Sequence, residues 1–289
     1  MPSLGCVSSS SQQRYVDTAK LAGLVTVVAR AGQVAHVAAI GARDIAAAAP
    51  MTTDTIFRIY SMTKPIVSVA LLSLYEEGRF QLDDPVSRFI PSWADLRVWS
   101  DGTPDGYTTT FPEREMQIRD LLTHTSGLTY AFMNRHPVDG LYRRLGVERD
   151  GARNLQEMID KLGQLPLRFS PGTQWSYSVA TDVCGYLCEV ISGRPLDQFL
   201  AERIFVPLGM VDTAFWVPPD KMHRLSANYA FTNQDPLALF DAPAGSAAST
   251  AFWVDRSEDL VVVLLAQLMP SATYPIRREM RALTCQALS

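Results

Sequence analysis

Ser61-Met62-Thr63-Lys64-Pro65-Ile66-Val67-Ser68-Val69-Ala70-Leu71-Leu72-Ser73-Leu74 is the stretch on which the reading of this chain turns. From Thr63 to Glu77 the segment is apolar on nearly every side, which predicts a buried helix rather than an amphipathic surface one. Pro65 has no N–H to donate and fits only a first turn. The helix therefore starts close to Ser61, and Gly78 supplies its stop. A serine three residues before a lysine then lies on the same helical face. The helix N-terminus adds partial positive charge and free N–H groups near the serine oxygen. A hydroxyl becomes a nucleophile when a neighbouring base takes its proton, and a desolvated lysine suits that task. Such a spacing arises by chance about once per few hundred residues at average composition. Here the chain has four lysines, and only Lys64 follows a serine at this distance.

Outward from this stretch, the bulk properties bound the possibilities. Hydrophobic residues are 47% and charged residues 19%, a globular rather than a disordered composition. A length of 289 residues allows one large domain or two modest ones. Net charge is -4 with no Lys/Arg run, so no phosphate-binding stripe exists and no nucleic-acid partner is expected. Arg143-Arg144 and Arg277-Arg278 read as solvated helix faces. No stretch approaches the roughly 20 apolar residues of a membrane span, and no apolar signal-peptide core is present. The expectation is a soluble, cytoplasmic protein. Cys184 and Cys188 share one face of a predicted helix as small apolar residues, and Cys6 and Cys285 add no disulfide spacing. His36, His124, His136 and His223 are scattered without ligand spacing, so neither a metal site nor a cofactor is expected. His124 reads as a hydrogen-bonded interior residue.

The elements follow from periodicity. Gln12 to Lys20 predicts a short helix, and Leu24 to Arg30 with Gln33 to Ile40 a hairpin turning at Ala31-Gly32. Ala42 to Ala49 reads as loop. The middle of the chain carries helices over Met116 to Leu122, Leu155 to Leu162, Thr181 to Ile191 and Leu196 to Ile204. Ala247 to Val254 and Leu260 to Leu268 predict strands about a turn, and Tyr274 to Leu288 a closing helix. Strands at both ends with helices between predict an α+β fold. Its antiparallel β-sheet would be flanked by N- and C-terminal helices, beside a mostly helical domain. The sheet domain is assigned to 1–58 and 244–289, the helical domain to 59–243, with the active site at their interface. No Gly-x-Ser-x-Gly elbow occurs, which disfavours the α/β-hydrolase fold.

The second chemical candidate is Tyr177, within Pro171-Gly172-Thr173-Gln174-Trp175-Ser176-Tyr177-Ser178. The Pro-Gly turn and the following helix place its phenol on a loop, where it could relay a proton. Ser61-x-x-Lys64, then Leu121-Leu122-Thr123-His124-Thr125-Ser126-Gly127-Leu128, then Tyr177-Ser178 resemble the β-lactamase-related serine hydrolases. That group includes family VIII carboxylesterases, class C β-lactamases and D,D-peptidases. Gly78-Arg79-Phe80-Gln81-Leu82-Asp83-Asp84-Pro85-Val86 and Pro207-Leu208-Gly209-Met210 extend the likeness, which runs from about Leu24 to Thr213 and resumes near Gly245.

The resemblance implies that Ser61 attacks an ester or amide carbonyl to form an acyl-enzyme, with Lys64 and Tyr177 sharing the base role. It places the Ser61 N–H, and the Ala247 N–H as aligned, in the oxyanion hole. Tyr130, Phe132 and Trp175 flank the motifs as pocket-lining candidates, with Gly245 and Ser246 beside Ala247. Two departures follow. Val179 stands where lactamases carry an amide, which favours esterase chemistry. Ala244-Gly245-Ser246-Ala247 replaces a Lys-Thr-Gly or Trp-Gly-Gly motif, and the connection before it, 230–244, is short for the family. The expected partner is a small ester or lactam. The leading expectation is a carboxylesterase for short acyl esters. The alternatives are a β-lactamase, D,D-peptidase or acyltransferase of the same fold, or a silent homologue that binds without catalysis.

Overall fold

In the computed structural model, residues 9–148, 152–242, 249–255, 259–269, 273, 274 and 276 are described. Helix α1 (Ser9–Asp17) leads into strands β1 (Gly23–Arg30), β2 (Gln33–Asp44) and the short β3 (Ala49–Pro50). The predicted hairpin is present, with Arg30 opposite Gln33. Ala31 and Gly32 both lie at positive φ, 49° and 68°, the backbone that matches strand twist in a two-residue turn. A 3₁₀ turn, Tyr60–Met62, precedes helix α2 (Thr63–Glu76). After it come strands β4 (Val98–Thr103) and β5 (Gly106–Thr110), then helices α3 (Ile118–Leu122), α4 (Pro137–Leu145), α5 (Leu155–Leu162), α6 (Ala180–Ser192) and α7 (Leu196–Leu200). Strands β6 (Asn228–Ala230), β7 (Ala238–Asp241), β8 (Ser249–Asp255), β9 (Leu260–Ala266) and β10 (Leu268–Met269) follow.

The chain divides into two compact units, Met1–Thr63 with Ala214–Ser289, and Lys64–Thr213. In the first, an antiparallel five-stranded sheet has the order β3-β2-β1-β9-β8. The central strand β1 buries Leu24, Val25 and Val28, and Leu24 joins Tyr15, Leu21, Tyr229 and Leu264 in one apolar cluster. A second, three-stranded sheet orders β10-β6-β7. This sheet draws 214–242 into the first unit, whereas the order of strands and helices along the sequence places those residues in the helical domain. The cause is non-local: β6 pairs with β10, almost forty residues later, and Leu225 bridges to Ile56. The short connection after Ala230 therefore holds a strand, β7. The closing helix expected over Tyr274 to Leu288 falls almost entirely outside the described residues, as do Cys6 and Cys285.

The second unit is mostly helical. Its core takes Val67, Ala70, Leu71 and Leu74 from α2, at the spacing of one helix face. The opposite face differs from the all-round burial that the sequence predicts, since Val69 is 58% exposed and Leu72 is exposed too. Apolar side chains on every side of a helix permit burial without compelling it, because only one face packs on the core. Gly78, at φ +71°, ends the helix as expected, with Gly78 and Arg79 donating to Tyr75 and Leu74. Cys184 and Cys188 are free, fully buried thiols on α6, and burial pushes the Cys188 thiol up to about 12. The hairpin β4–β5 and helix α4 were not anticipated. Val98-Trp99 gives only two apolar residues before the polar Ser100-Asp101-Gly102, too short a run to read as a strand, and α4 owes its start to His136 and Asp139 in a capping box.

Gly127 occupies a turn that only glycine fills without strain. Its φ is +84°, and a Cβ there would stand 2.4 Å from the Phe169 oxygen and 3.0 Å from the Leu167 Cβ. Gly127→Ala is expected to lower the stability of this unit by roughly 2–4 kcal/mol, from strain and overlap together. Denaturant unfolding checks it, and a loss below about 0.5 kcal/mol would show the turn to be adaptable.

Candidate active site

Two loops of the helical unit are laced together by main-chain hydrogen bonds. Gly172 N–H donates to Thr125 O at 2.8 Å, Arg168 N–H to Gly127 O at 2.8 Å and Ser176 N–H to His124 O at 2.9 Å. Val179 N–H donates to Thr129 O at 3.2 Å. The segments joined, 124–129 and 168–179, include parts of the Leu121–Leu128 motif and the Pro171–Ser178 motif, about fifty residues apart in sequence. Side chains lock each end. Asp120 takes Arg114 at 2.7 and 2.8 Å and accepts from Thr125 Oγ1 at 3.2 Å. Thr129 Oγ1, fully buried, donates to Asp139 at 2.8 Å. Buried polar groups partnered in this way favour one arrangement of the backbone.

The lacing brings Tyr130 and Tyr177 together, with ring centroids 5.3 Å apart. Lys64, second residue of α2, reaches both phenols. Its Nζ donates to Tyr130 Oη at 2.7 Å and lies 5.3 Å from the Tyr130 centroid and 5.0 Å from that of Tyr177. Both ring distances fall within cation–π range. Burial, with Asp182 and Tyr177 nearby, pushes the Tyr130 phenol well above its ordinary range. Tyr130 is therefore a neutral hydrogen-bond partner for Lys64, not a phenolate base. Ser61 lies in the 3₁₀ turn that runs straight into α2, three residues before Lys64, and is exposed. Tyr60, just before it, holds φ +39°, a strained conformation for a residue with a side chain. That turn packs against strand β8.

The remaining sequence candidates distribute around this group. Phe132 stacks on Tyr130 at 4.8 Å, and Trp175 meets His124 edge-on at 6.2 Å. Both rings are largely exposed, at 58% and 66%. His124 is half-buried as expected. Its Nδ1 shares a hydrogen bond with Ser178 Oγ at 3.3 Å, and its ring leans on Tyr177 at 5.1 Å. Gly245, Ser246 and Ala247 lie outside the described residues. Sequence reasoning missed Asp182, on the first turn of α6, whose carboxylate interacts with the Lys64 charge. Burial outweighs Lys64 and raises its pKa. The signal available was the spacing: Asp182 follows Ser178 by four residues and so lies at the start of the helix that leaves the motif. The role of Tyr130 as a partner of Lys64 had no local signal at all.

Burial first, and then the Lys64 charge, lower the His124 pKa from 6.5, so the imidazole is neutral at neutral pH. A depressed folded pKa means that the unfolded chain binds the proton more readily. The stability tied to neutral His124 is thus complete above the unfolded value and is lost as pH falls through the folded one. The Tm of the wild type relative to His124→Gln is expected to drop as pH goes from about 7.5 to about 5. A difference that stays constant across this range would contradict the assignment.

Known proteins share the same outline. The family model described as Beta-lactamase matches residues 12–250. Protein Rv1367c of Mycobacterium tuberculosis (strain ATCC 25618 / H37Rv) is 38% identical over 230 residues, covering 80% of this chain and 56% of that protein. Esterase EstB of Burkholderia gladioli is 35% identical over 246 residues, covering 82% of this chain and 59% of its own. The chain thus spans under two thirds of the length of these curated relatives. The solved structure of EstCE1, a hydrolase with promiscuous acyltransferase activity, superposes with a TM-score of 0.80 at 22% identity, covering 98% of each chain. That likeness establishes the β-lactamase/transpeptidase-like α+β fold. By the extent of the family match and the identity to these relatives, the chain belongs to the Beta-lactamase family.

Proposed function

We propose that this protein is a serine hydrolase that cleaves short-chain carboxylic esters through an acyl-enzyme on Ser61. The observation that carries the reading is Lys64 set against two phenols, Tyr130 and Tyr177, one helical turn after an exposed serine. Ser61 Oγ attacks the ester carbonyl while its proton passes to the Lys64–Tyr177 pair. The pair returns a proton to the departing alkoxide, which leaves as the alcohol. Water then attacks the acyl-serine by the same route and releases the acid. The Ser61 N–H is the first oxyanion donor in this scheme and the Ala247 N–H the second. Both act on charge that develops only in the transition state.

Substrate contacts are assigned to Tyr130, Phe132 and Trp175, with Gly245 and Ser246 beside them. The exposed rings of Phe132 and Trp175, the first stacked on Tyr130, support that assignment. Val179 is fully buried and has no side-chain amide to offer a lactam, which supports ester over lactam. The name of Esterase EstB points the same way. The promiscuous acyltransferase activity of EstCE1 favours a second reading, in which an alcohol replaces water as acyl acceptor.

Incubation with a fluorophosphonate or an activated short-chain ester, read by mass spectrometry, is expected to give one adduct, on Ser61. Ser61→Ala is expected to give none, and equal labelling of both proteins would remove the reading. Lys64→Ala and Tyr177→Phe are each expected to slow acylation by about a thousandfold, the scale of other serine-hydrolase knockouts. Hydrolysis of a chromogenic cephalosporin as fast as that of the ester would transfer the assignment to lactams.

A further inference from the structure

Three polar side chains stand in one row across the small sheet of the first unit. Asn228 on β6 is the register partner of Asp241 on β7. Gln267 immediately precedes β10, whose Leu268 pairs in parallel with Tyr229, so Gln267 extends the row on the other side. Cross-strand partners point their side chains to the same face. Arg58 closes the row at both ends. Its Nε lies 3.6 Å from Asp241 Oδ2, and its carbonyl accepts from Gln267 Nε2 at 3.4 Å. The guanidinium also donates to Ser226 O at 2.7 Å and Ala242 O at 3.1 Å. Asn228 is 0% exposed, Gln267 5%, and the Asp241 side chain 9%.

Within this closed row, four buried atoms have no hydrogen-bond partner: Asn228 Oδ1 and Nδ2, Asp241 Oδ2 and Gln267 Oε1. The Arg58–Asp241 ion pair does not satisfy Asp241 Oδ2, because 3.6 Å is beyond hydrogen-bond reach. Buried polar atoms left unpaired are costly, and native proteins pair nearly all of them. Three of the four atoms are acceptors and one is a donor. That pattern calls for a small group with two donors and an acceptor. A cation is opposed by the guanidinium already beside Asp241.

We propose that the row Gln267–Asn228–Asp241, closed by Arg58, is a buried hydration site for an ordered water. The water donates to Asp241 Oδ2 and to an amide oxygen, and accepts from Asn228 Nδ2, the two-to-four-partner pattern of interior waters. Its consequence rests on the reading of Ser61 as nucleophile. Arg58 lies three residues before Ser61, so water and guanidinium together hold the segment that enters the strained Tyr60–Met62 turn. Asn228 and Gln267 are then positioning residues that touch no substrate.

The sign of a stability change tests the site. If the row is hydrated, Asn228→Leu removes the water's acceptor contact and strands Asp241 and Gln267, and Tm falls by roughly 3–8 °C. If the row is dry, the same substitution deletes two unpaired polar atoms, so Tm holds or rises, and the proposal is overturned. Leucine is bulkier than asparagine, so a crystal structure of the wild-type chain is the second arm. Density for one water within about 3.2 Å of Asp241 Oδ2 and of Asn228 or Gln267 supports the site. Direct hydrogen bonds among the three side chains, or an ion in the row, overturn it. Well below Tm, the maximal rate of fluorophosphonate labelling is expected to fall at least about fivefold in Asn228→Leu at unchanged probe affinity. A purely structural row leaves that rate unchanged. Absence of labelling in the wild type would defeat the nucleophile assignment while leaving the Tm and density readings intact.

Discussion

The hydrogen bonds between the two motif loops are the constraint from which the site geometry follows. Neither loop is regular structure, so neither holds a side chain in place by its own ladder. The loops are tied at Thr125, Gly127, His124 and Thr129 by main-chain hydrogen bonds. Two phenols carried by segments some fifty residues apart then have one fixed separation. The tie depends on backbone conformations that few residues adopt, including Gly127 at φ +84° and His124 at φ +57°. Asp120 and Asp139 are both buried, and their carboxylates are fully engaged in hydrogen bonds from these loops and their neighbours. Such groups are expensive to bury unpaired and specific when paired.

Electrostatics then divides the labour among chemically similar groups. Tyr130 and Tyr177 both face the Lys64 ammonium, and Tyr130 receives its 2.7 Å hydrogen bond. Burial keeps that phenol protonated, which makes it a support for the lysine. Asp182 sits within reach of the same charge, and His124 is held neutral beside it. Lys64 Nζ is thus surrounded by two tyrosine rings, with Asp182 and the imidazole of His124 in electrostatic reach. The two phenols differ in their contacts with the lysine: Tyr130 takes its hydrogen bond, and Tyr177 presents its ring to it.

The first unit meets a different requirement. Its nucleophile candidate sits on a 3₁₀ turn, at a residue that follows a strained tyrosine. Three residues before Ser61, Arg58 is buried beside Asp241 and bonded to two carbonyls. The desolvation of that guanidinium lowers its pKa, and Asp241 opposes the shift. Removing one partner of a buried pair of this kind leaves the other charge uncompensated in the interior.

Local pattern was enough for several parts of the fold and site. The hairpin at Ala31-Gly32, the start of α2 just before Pro65 and its end at Gly78, and α5 and α6 all follow from properties of adjacent residues. So does the placing of Ser61 one turn before Lys64, since both lie on a single continuous stretch. Tertiary structure alone decided which face of α2 is buried and that 214–242 belongs with the sheet unit. It alone placed Tyr130 on Lys64 and Asp182 near it, and gathered Arg58, Asn228, Asp241 and Gln267 into one row. These depend on pairings between residues far apart in sequence. Periodicity carries no record of such pairings, because each partner's own neighbours are compatible with many others.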